Sequence, residues 1–272
     1  MTLTDIGANL SSPAFSADRD AVLARARAAG VTTIIVTGTS PEDNAAALEL
    51  SHAHPGFLYA TAGLHPHLAD RFSAELAEGI RTLLQAPEVV AAGEMGLDFH
   101  RDLSPRPAQE RAFEEQLAIA ADVGKPVFLH QRDAHARFLP LLRSYRDRLV
   151  DAVVHCFTDQ RAALYDYLDL GLSIGITGWI CDRKRGAALR ELVSAIPAER
   201  LMIETDAPYL LPPEARKQAQ GRRNEPAFLP AVLAGIAGER LETVEALAAI
   251  THDNARRFFR LPARTGHKQP GR

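Results

Sequence analysis

Five short apolar runs in the 272-residue sequence each lead to residue types that bind metal ions. The runs TAGLHPH, VVAAGE, PVFLH, DAVVH and LMIETD end at or near His65 and His67, Glu94, His130, His155 and Asp206. Each run reads as a buried strand that is followed by a helix-like segment. Parallel strands in a barrel open their carboxyl ends onto one face, so we expect these side chains to converge there. Imidazole nitrogens and carboxylate oxygens together suit a divalent cation.

Glu94, His130 and His155 are the candidate metal ligands. We expect the glycines on both sides of Glu94 to turn the backbone sharply out of the strand and to hold the carboxylate at the rim. The alternative is that Glu94 only caps the following loop. Each histidine alone is more often structural, but equivalent positions in successive strand units favour metal binding. Each would need a carboxylate or carbonyl on its other ring nitrogen, and Asp98 is a candidate for the layer behind the ligands.

Two carboxylates follow the last apolar run, in the segment IETDAPYLLP. Glu204 and Asp206 have the same strand parity, so they would share a face of the sheet. Asp206 lies nearest the rim and is expected to bind metal or to deprotonate a water molecule. Glu204 lies deeper and is expected to orient a histidine ligand. The alternative for Asp206 is that it only begins the turn before Pro208.

A second group of residues has the chemistry of a nucleic-acid contact. His65 and His67, in GLHPH, suit either a metal or a phosphate oxygen, and we favour phosphate for His65. Arg222 and Arg223 offer planar guanidinium groups for phosphate, although a charged loop is usually only a solvated surface. Trp179, beside several basic residues, is a candidate for stacking on a base, with a place in the core as the alternative.

The pattern of apolar runs predicts a TIM (β/α)8 barrel of the metallo-dependent hydrolase type. Eight strand-like runs alternate with helix-like segments, which is typical of this fold. The predicted strands are Thr4–Asn9, Thr32–Thr39, Phe57–Gly63, Val89–Glu94, Val127–His130, Val153–His155, Leu172–Thr177 and Leu201–Glu204. An open doubly wound sheet is the alternative, but no glycine-rich dinucleotide motif follows the first strand.

Bulk properties bound the organisation of the chain. We expect one domain over residues 1–262 and a disordered basic tail over residues 263–272. The net charge of −3 excludes a global positive field for duplex nucleic acid. The amino terminus lacks a signal peptide pattern and no apolar stretch is long enough for a membrane span, so we expect a cytoplasmic protein without a membrane partner. We also expect a monomer. The cysteines show no disulfide or zinc pattern, and Cys156 should point to the opposite side of its strand from His155 and pack.

The motifs together resemble the TatD family of metal-dependent deoxyribonucleases. They are GLHPH, GEMGLDF, FLHQRDAH, VVHCFTD, IGITGWICD, IETDAPYLLP and RRNEPAFLP, in that order between about Asp5 and Leu261. The resemblance implies a barrel that holds a divalent metal at Glu94, His130 and His155, with Asp206 as a further ligand or catalytic acid. It also implies a 3′–5′ exonuclease on single-stranded DNA and RNA ends, with Mg²⁺ preferred over Mn²⁺ and a role in DNA repair or nucleic-acid degradation.

One departure from the family pattern lies on the first strand. Most relatives carry a His-x-His pair there, whereas this chain has Gly7 and Asn9. Fewer imidazoles leave an oxygen-richer site, which suits Mg²⁺. Two other functions stay open: a metal-dependent amidohydrolase acting on a C–N bond, and a non-catalytic nucleic-acid-binding barrel. The amidohydrolase usually needs the missing pair and often a lysine at a strand end, and Lys125 instead precedes its strand.

Overall fold

A computed structural model describes residues 1–262. The tail predicted over residues 263–272 lies outside the described residues. Eight parallel strands follow one another around a single sheet in chain order, which confirms the predicted barrel and excludes the strand order of a doubly wound sheet. The strands are β1 Leu3–Ala8, β2 Val31–Val36, β3 Leu58–Ala62, β4 Val89–Asp98, β5 Val127–Arg132, β6 Ala152–Val154, β7 Ser173–Ile176 and β8 Leu201–Ile203.

Helices follow the strands in alternation and cover the outside of the barrel. They are α1 Arg19–Ala28, α2 Pro41–Ala53, α3 Ala74–Leu83, α4 Arg106–Val123, α5 His135–Tyr145, α6 Arg161–Asp169, α7 Ala187–Val193, α8 Leu229–Ala237 and α9 Val244–Phe258. Local sequence explains their ends. The Ser40 side chain accepts a hydrogen bond from the Asp43 amide at 3.1 Å and begins α2. Gly124, at φ +73°, ends α4.

The segment after β8 closes the barrel against β1. The Asp206 amide donates to the Gly7 carbonyl at 2.8 Å, and the Asn9 amide donates to the Ala207 carbonyl at 2.7 Å. A parallel bridge between Ala8 and Ala207 completes the seam. The two ends of the sheet therefore meet at the position of Asp206.

The interior of the barrel is apolar below the strand ends. One buried cluster joins strand residues to the end of α9: Ile6, Ile35, Tyr59, Val90, Ala91, Phe128, Val153, Met202, Ala255, Phe258, Phe259 and Leu261. Asn254 on α9 donates from Nδ2 to the carbonyl of Leu201, at the start of β8, over 2.8 Å. Helix α9 thus packs at the amino ends of the strands and leaves the carboxyl ends open. No helix in the described part of the chain has the length and apolarity of a membrane span.

Candidate metal centre

Strand alternation places the candidate ligands directly above this apolar layer. His130, His155 and Glu204 lie two residues beyond Phe128, Val153 and Met202, and therefore share their inward face. All three are buried or nearly so. The sequence correctly predicts that these side chains meet, because a period of two fixes the face from the apolar pattern below.

Glu94 is the hub of the centre. Its Oε1 atom lies 2.9 Å from His130 Nδ1, 2.8 Å from His155 Nε2 and 3.3 Å from His65 Nε2. Burial alone would raise the pKa of Glu94, but the imidazoles of His155, His65 and His130 lower it well below its ordinary value. The carboxylate is therefore ionised in the protein interior, and among residues 1–262 its side-chain contacts are with the imidazoles of these three histidines.

Each of the two deeper histidines has a second carboxylate on its other ring nitrogen. His130 Nε2 lies 3.2 Å from Asp98 Oδ2, and His155 Nδ1 lies 3.4 Å from Glu204 Oε2. Burial lowers the pKa of both histidines, but the carboxylates more than reverse this and raise it. Metal-bound histidines have this arrangement, because the outer carboxylate fixes the tautomer and the ring orientation. The donor set therefore fits a divalent cation between Glu94, His130 and His155.

Strand β4 reaches this centre in a way that the sequence did not predict. The expected sharp turn after Glu94 is wrong, because β4 continues to Asp98. Gly93 and Gly96 have φ values of +135° and +147°, and a Cβ atom at either position would collide with the backbone of β5. The register with β5 shifts between Ala92 and Met95. The glycines thus let β4 bulge against β5, which aims Glu94 inward and still brings Asp98 to the rim.

His65 and His67 sit at the edge of the centre and differ from the other two histidines. His65 Nδ1 accepts the His67 backbone N–H at 3.1 Å, so the proton of the neutral ring is on Nε2. Burial lowers the pKa of His65 to about 4, which keeps the ring neutral. His65 can therefore donate a hydrogen bond but lacks a free lone pair on Nε2, although that atom lies within reach of a metal at Glu94 and His130. His67 Nε2 instead contacts Asp98 Oδ2 at 2.9 Å.

Asp206 lies beyond the end of β8, at φ +54°. Asn9 donates from Nδ2 to Asp206 Oδ1 at 3.1 Å and so holds the carboxylate in place. Burial raises the pKa of Asp206 to about 7, with Glu94 and Glu204 adding to the rise and His155 opposing it. Such a carboxyl group exchanges a proton near neutral pH. The role of Asn9 was missed from sequence, because its partner lies 197 residues away.

A buried frame fixes the backbone around Asp206. The Thr205 amide donates to Asp5 Oδ1 at 2.9 Å, and Asn224 Nδ2 donates to the Thr205 carbonyl at 2.9 Å. The Asn224 amide also donates to the Pro208 carbonyl at 3.0 Å. The residues on both sides of Asp206 are thus held by side chains that are themselves buried.

Arg222 and Arg223 lie outside the centre, contrary to the prediction of a phosphate clamp. The Arg223 guanidinium binds Asp18 Oδ1 at 2.7 Å and Glu225 Oε1 at 2.8 Å. These carboxylates engage both of its terminal nitrogens. The neighbouring Arg222 is exposed and does not line the pocket. The motif GRRNEP therefore contributes Asn224 and a structural ion-pair network close to the site, rather than free arginines.

Cys156 also departs from its predicted orientation. Strand β6 ends at Val154, and Cys156 at φ +47° breaks the alternation, so its side chain lines the pocket. Burial raises the pKa of the thiol well above its ordinary value, and Asp206 and Glu204 add to the rise. Cys156 Sγ lies 3.7 Å from Thr177 Oγ1. A raised thiol pKa disfavours the reactive thiolate form.

The centre forms the floor of a cavity of about 760 Å³ at the carboxyl ends of the strands. Its walls include all the candidate ligands together with Asn9, His65 and His67. Trp179 lines the same cavity and packs partly against the core. Arg101, Arg132 and Tyr209, which sequence reasoning did not single out, complete the upper wall.

Known proteins are similar to this chain in both sequence and fold. A family model described as TatD related DNase matches residues 4–260. A protein of Musicola paradisiaca named 3′-5′ ssDNA/RNA exonuclease TatD is 52% identical over 94% of this chain and 97% of its own length. A protein of the same name from Edwardsiella piscicida is 53% identical over 95% and 100%. The crystal structure of a TatD homologue from Escherichia coli K12 is 32% identical, covers 96% of this chain and 98% of its own, and has a TM-score of 0.87.

Proposed function

Because the chain belongs to the TatD-related DNase family, we propose that it is a metal-dependent nuclease that removes nucleotides from the 3′ ends of single-stranded DNA and RNA. The main structural support is that the imidazoles of His130 and His155 each lie between the Glu94 carboxylate and a second carboxylate. Two relatives that this chain matches over nearly their full length are named as such an exonuclease.

We assign the metal to Glu94, His130 and His155, with Asp206 beside it. Asp98 and Glu204 hold the outer nitrogens of the two histidines and so keep the inner nitrogens free for ligation. A bound divalent cation polarises a phosphate oxygen and lowers the pKa of a coordinated water molecule. The carboxylates and the absence of the first-strand histidines favour Mg²⁺, with Mn²⁺ as a substitute.

The protein groups then have separate tasks in the hydrolysis of a phosphodiester. Asp206 accepts the proton of the attacking water, and Asn9 orients the carboxylate for this step. His65 donates from Nε2 to a phosphate oxygen, because its other nitrogen is held by the His67 amide. The confined cavity favours the end of a single strand over the interior of a duplex.

The amidohydrolase alternative has weaker support. It usually calls on a lysine at a strand end, and Lys125 precedes β5 and donates from Nζ to the Val89 carbonyl at 2.6 Å. We further propose that residues 1–262 form one domain that acts as a monomer in the cytoplasm, in DNA repair or nucleic-acid degradation. A barrel closed by its own first and last strands needs no partner to complete the centre.

A time course on a 5′-labelled single strand tests the proposed function. The strand is incubated with the protein and Mg²⁺, Mn²⁺ or a chelator, and a cyclic amide is assayed in parallel. A ladder that shortens from the 3′ end only with metal is expected. Internal cuts, chelator-resistant cleavage or turnover of the amide alone would each contradict the proposal.

A further inference from the structure

The rim of the cavity exposes apolar side chains to solvent. Tyr209 is 60% exposed and Leu103 is 65% exposed, and both line the cavity that contains the metal centre. Exposed large apolar side chains beside a pocket are typical of a binding surface. The Tyr209 amide donates to the Asp206 carbonyl at 2.9 Å, so this ring is tied through a short turn to the catalytic carboxylate.

Two guanidinium groups that line the same cavity have no anionic partner in the described residues, although that of Arg132 lies 6.0 Å from the centre of the Trp179 ring. Within residues 1–262, the side chains of Arg101 and Arg132 have neither a hydrogen bond nor a salt bridge. Arg132 lies two residues beyond His130 on β5 and shares its inward face. Arg101 follows Asp98 closely, and its amide donates to Asp98 Oδ1 at 2.8 Å. Both side chains line the cavity that contains the candidate ligands.

Trp179 is already occupied, in contrast to Tyr209. The Arg185 guanidinium lies 4.6 Å from the centre of the indole ring, and indole Nε1 donates to the Arg185 carbonyl at 3.0 Å. Arg185 is itself paired with Asp182 at 2.9 Å. The Tyr209 ring has no aromatic or guanidinium partner in the described residues, so the tyrosine is the available stacking surface.

We propose that Arg101, Arg132 and Tyr209 form a subsite for the nucleotide adjacent to the bond that is cut. The guanidinium groups bind backbone phosphates, and the Tyr209 ring stacks on the base. This inference rests on the proposed nuclease function and names its substrate contacts. Stacking on an aromatic face does not distinguish the bases, so the subsite accepts any sequence and requires an unpaired strand.

The binding arm of the test measures affinity without turnover. A short, cleavage-resistant phosphorothioate oligothymidylate with a fluorescent label is titrated with the protein and Mg²⁺. Tyr209→Ala should weaken binding on the order of 5- to 150-fold, as for the loss of one stacked base, and Tyr209→Phe should retain it. The control is Tyr165→Ala, an exposed tyrosine on α6 away from the cavity.

The arginines are tested by salt dependence. Arg132→Gln and Arg101→Gln should each weaken binding and reduce the slope of log affinity against log salt by about 0.7, as for the loss of one phosphate contact to a single strand. Arg111→Gln, which removes an exposed arginine of α4, is the matched control. Arg132→Lys keeps the charge, and circular dichroism confirms that each variant is folded.

A cleavage arm separates this inference from the proposed function. For Tyr209→Ala, Arg132→Gln and Arg101→Gln, KM for a single strand should rise more than KM for bis(p-nitrophenyl) phosphate. That small substrate has no adjacent nucleotide. Variants that bind the strand as the wild type does would overturn the subsite, whether or not the wild type cleaves. A wild type that binds the strand through these residues but never cleaves it would overturn the nuclease and leave the subsite standing.

Discussion

Two clusters of charge in the described residues are neutralised in different ways. In the metal centre, the Glu94 carboxylate is surrounded by imidazoles. In the ion-pair network of Asp18, Arg25, Arg223 and Glu225, every carboxylate is paired with a guanidinium group. In the described part of the chain, one cluster therefore pairs its carboxylate with imidazoles, which can lose a proton. The other pairs its carboxylates with guanidinium groups, which stay charged.

The type of cationic partner distinguishes a candidate metal site from a structural ion-pair network. An arginine remains protonated at any physiological pH, so the network is closed and has no place for another cation. An imidazole can give up its proton and present a lone pair in the same position, so a divalent cation can replace the protons of the metal centre. Carboxylates therefore mark a metal site here only where histidines, and not arginines, are their partners.

Glu94→Gln should have the largest effect of the proposed substitutions, and it should act on the cleavage rate. It keeps the shape of the side chain but removes the charge that draws the cation and the imidazoles together. We expect the Mg²⁺-dependent rate on a single strand to fall by about 10²–10³-fold or more, with little change in thermal unfolding. Glu115→Gln on exposed α4 is the control, and undiminished cleavage by Glu94→Gln would refute the assigned metal centre.

Arg223→Gln should break the other cluster and act on stability instead. The change leaves Asp18 without its main partner and leaves the buried Glu225 paired with Arg25 alone. We therefore expect the free energy of unfolding to fall by about 1–3 kcal/mol. Urea denaturation measures the loss, and added Mg²⁺ should not reverse it. Arg222→Gln, on the exposed neighbour, should change stability by less than about 0.5 kcal/mol. Equal effects of the two substitutions would show that the network is not structural.

Glu204→Gln should affect the metal centre through His155 without removing a ligand. The new side-chain amide can present its N–H group to His155 Nδ1, so the tautomer of His155 is no longer fixed. We expect metal affinity to fall about 10- to 100-fold. Calorimetric titration with Mn²⁺ gives the affinity directly. Asp98→Asn tests the same argument for His130. Wild-type affinity in both variants would mean that the outer carboxylates do not orient the ligands.

The smallest expected effect is on acid stability. Arg223 and Arg25 hold the pKa of the partly exposed Asp18 at about 2, below its ordinary value of 3.8. A carboxyl group with a lowered pKa stabilises the fold above its unfolded pKa, and this contribution is lost as pH falls from 3.8 towards 2. Asp18→Asn should therefore show a shallower loss of stability over that interval in urea titrations. An unchanged slope would contradict the pairing.

The same contrast explains how much the sequence could predict. The barrel and the position of His130 and His155 follow from local pattern, because buried strands have a period of two and end on one face. The partners of Arg223 do not follow, since Asp18 lies 205 residues earlier and pairing is decided only by the closed barrel. A guanidinium group in the sequence looks the same whether it is free, like that of Arg132, or occupied.

The path of β4 was unpredictable for a different reason. Glycines on both sides of Glu94 are compatible with a turn or with a bulge that brings two strands together. Only the neighbouring backbone of β5, where a Cβ at Gly96 would collide with His130, decides between them. The role of Asn9 depends likewise on the seam between β1 and the segment after β8, which no local pattern encodes.

That seam has a consequence for the life of the protein in the cell. Asp206 is held by Gly7 of β1, by Asn9 just after β1 and by its own position after β8. Its carboxylate is therefore in place only when the last strand has been made and docked on the first. A chain that is still emerging from the ribosome therefore cannot yet assemble its active centre.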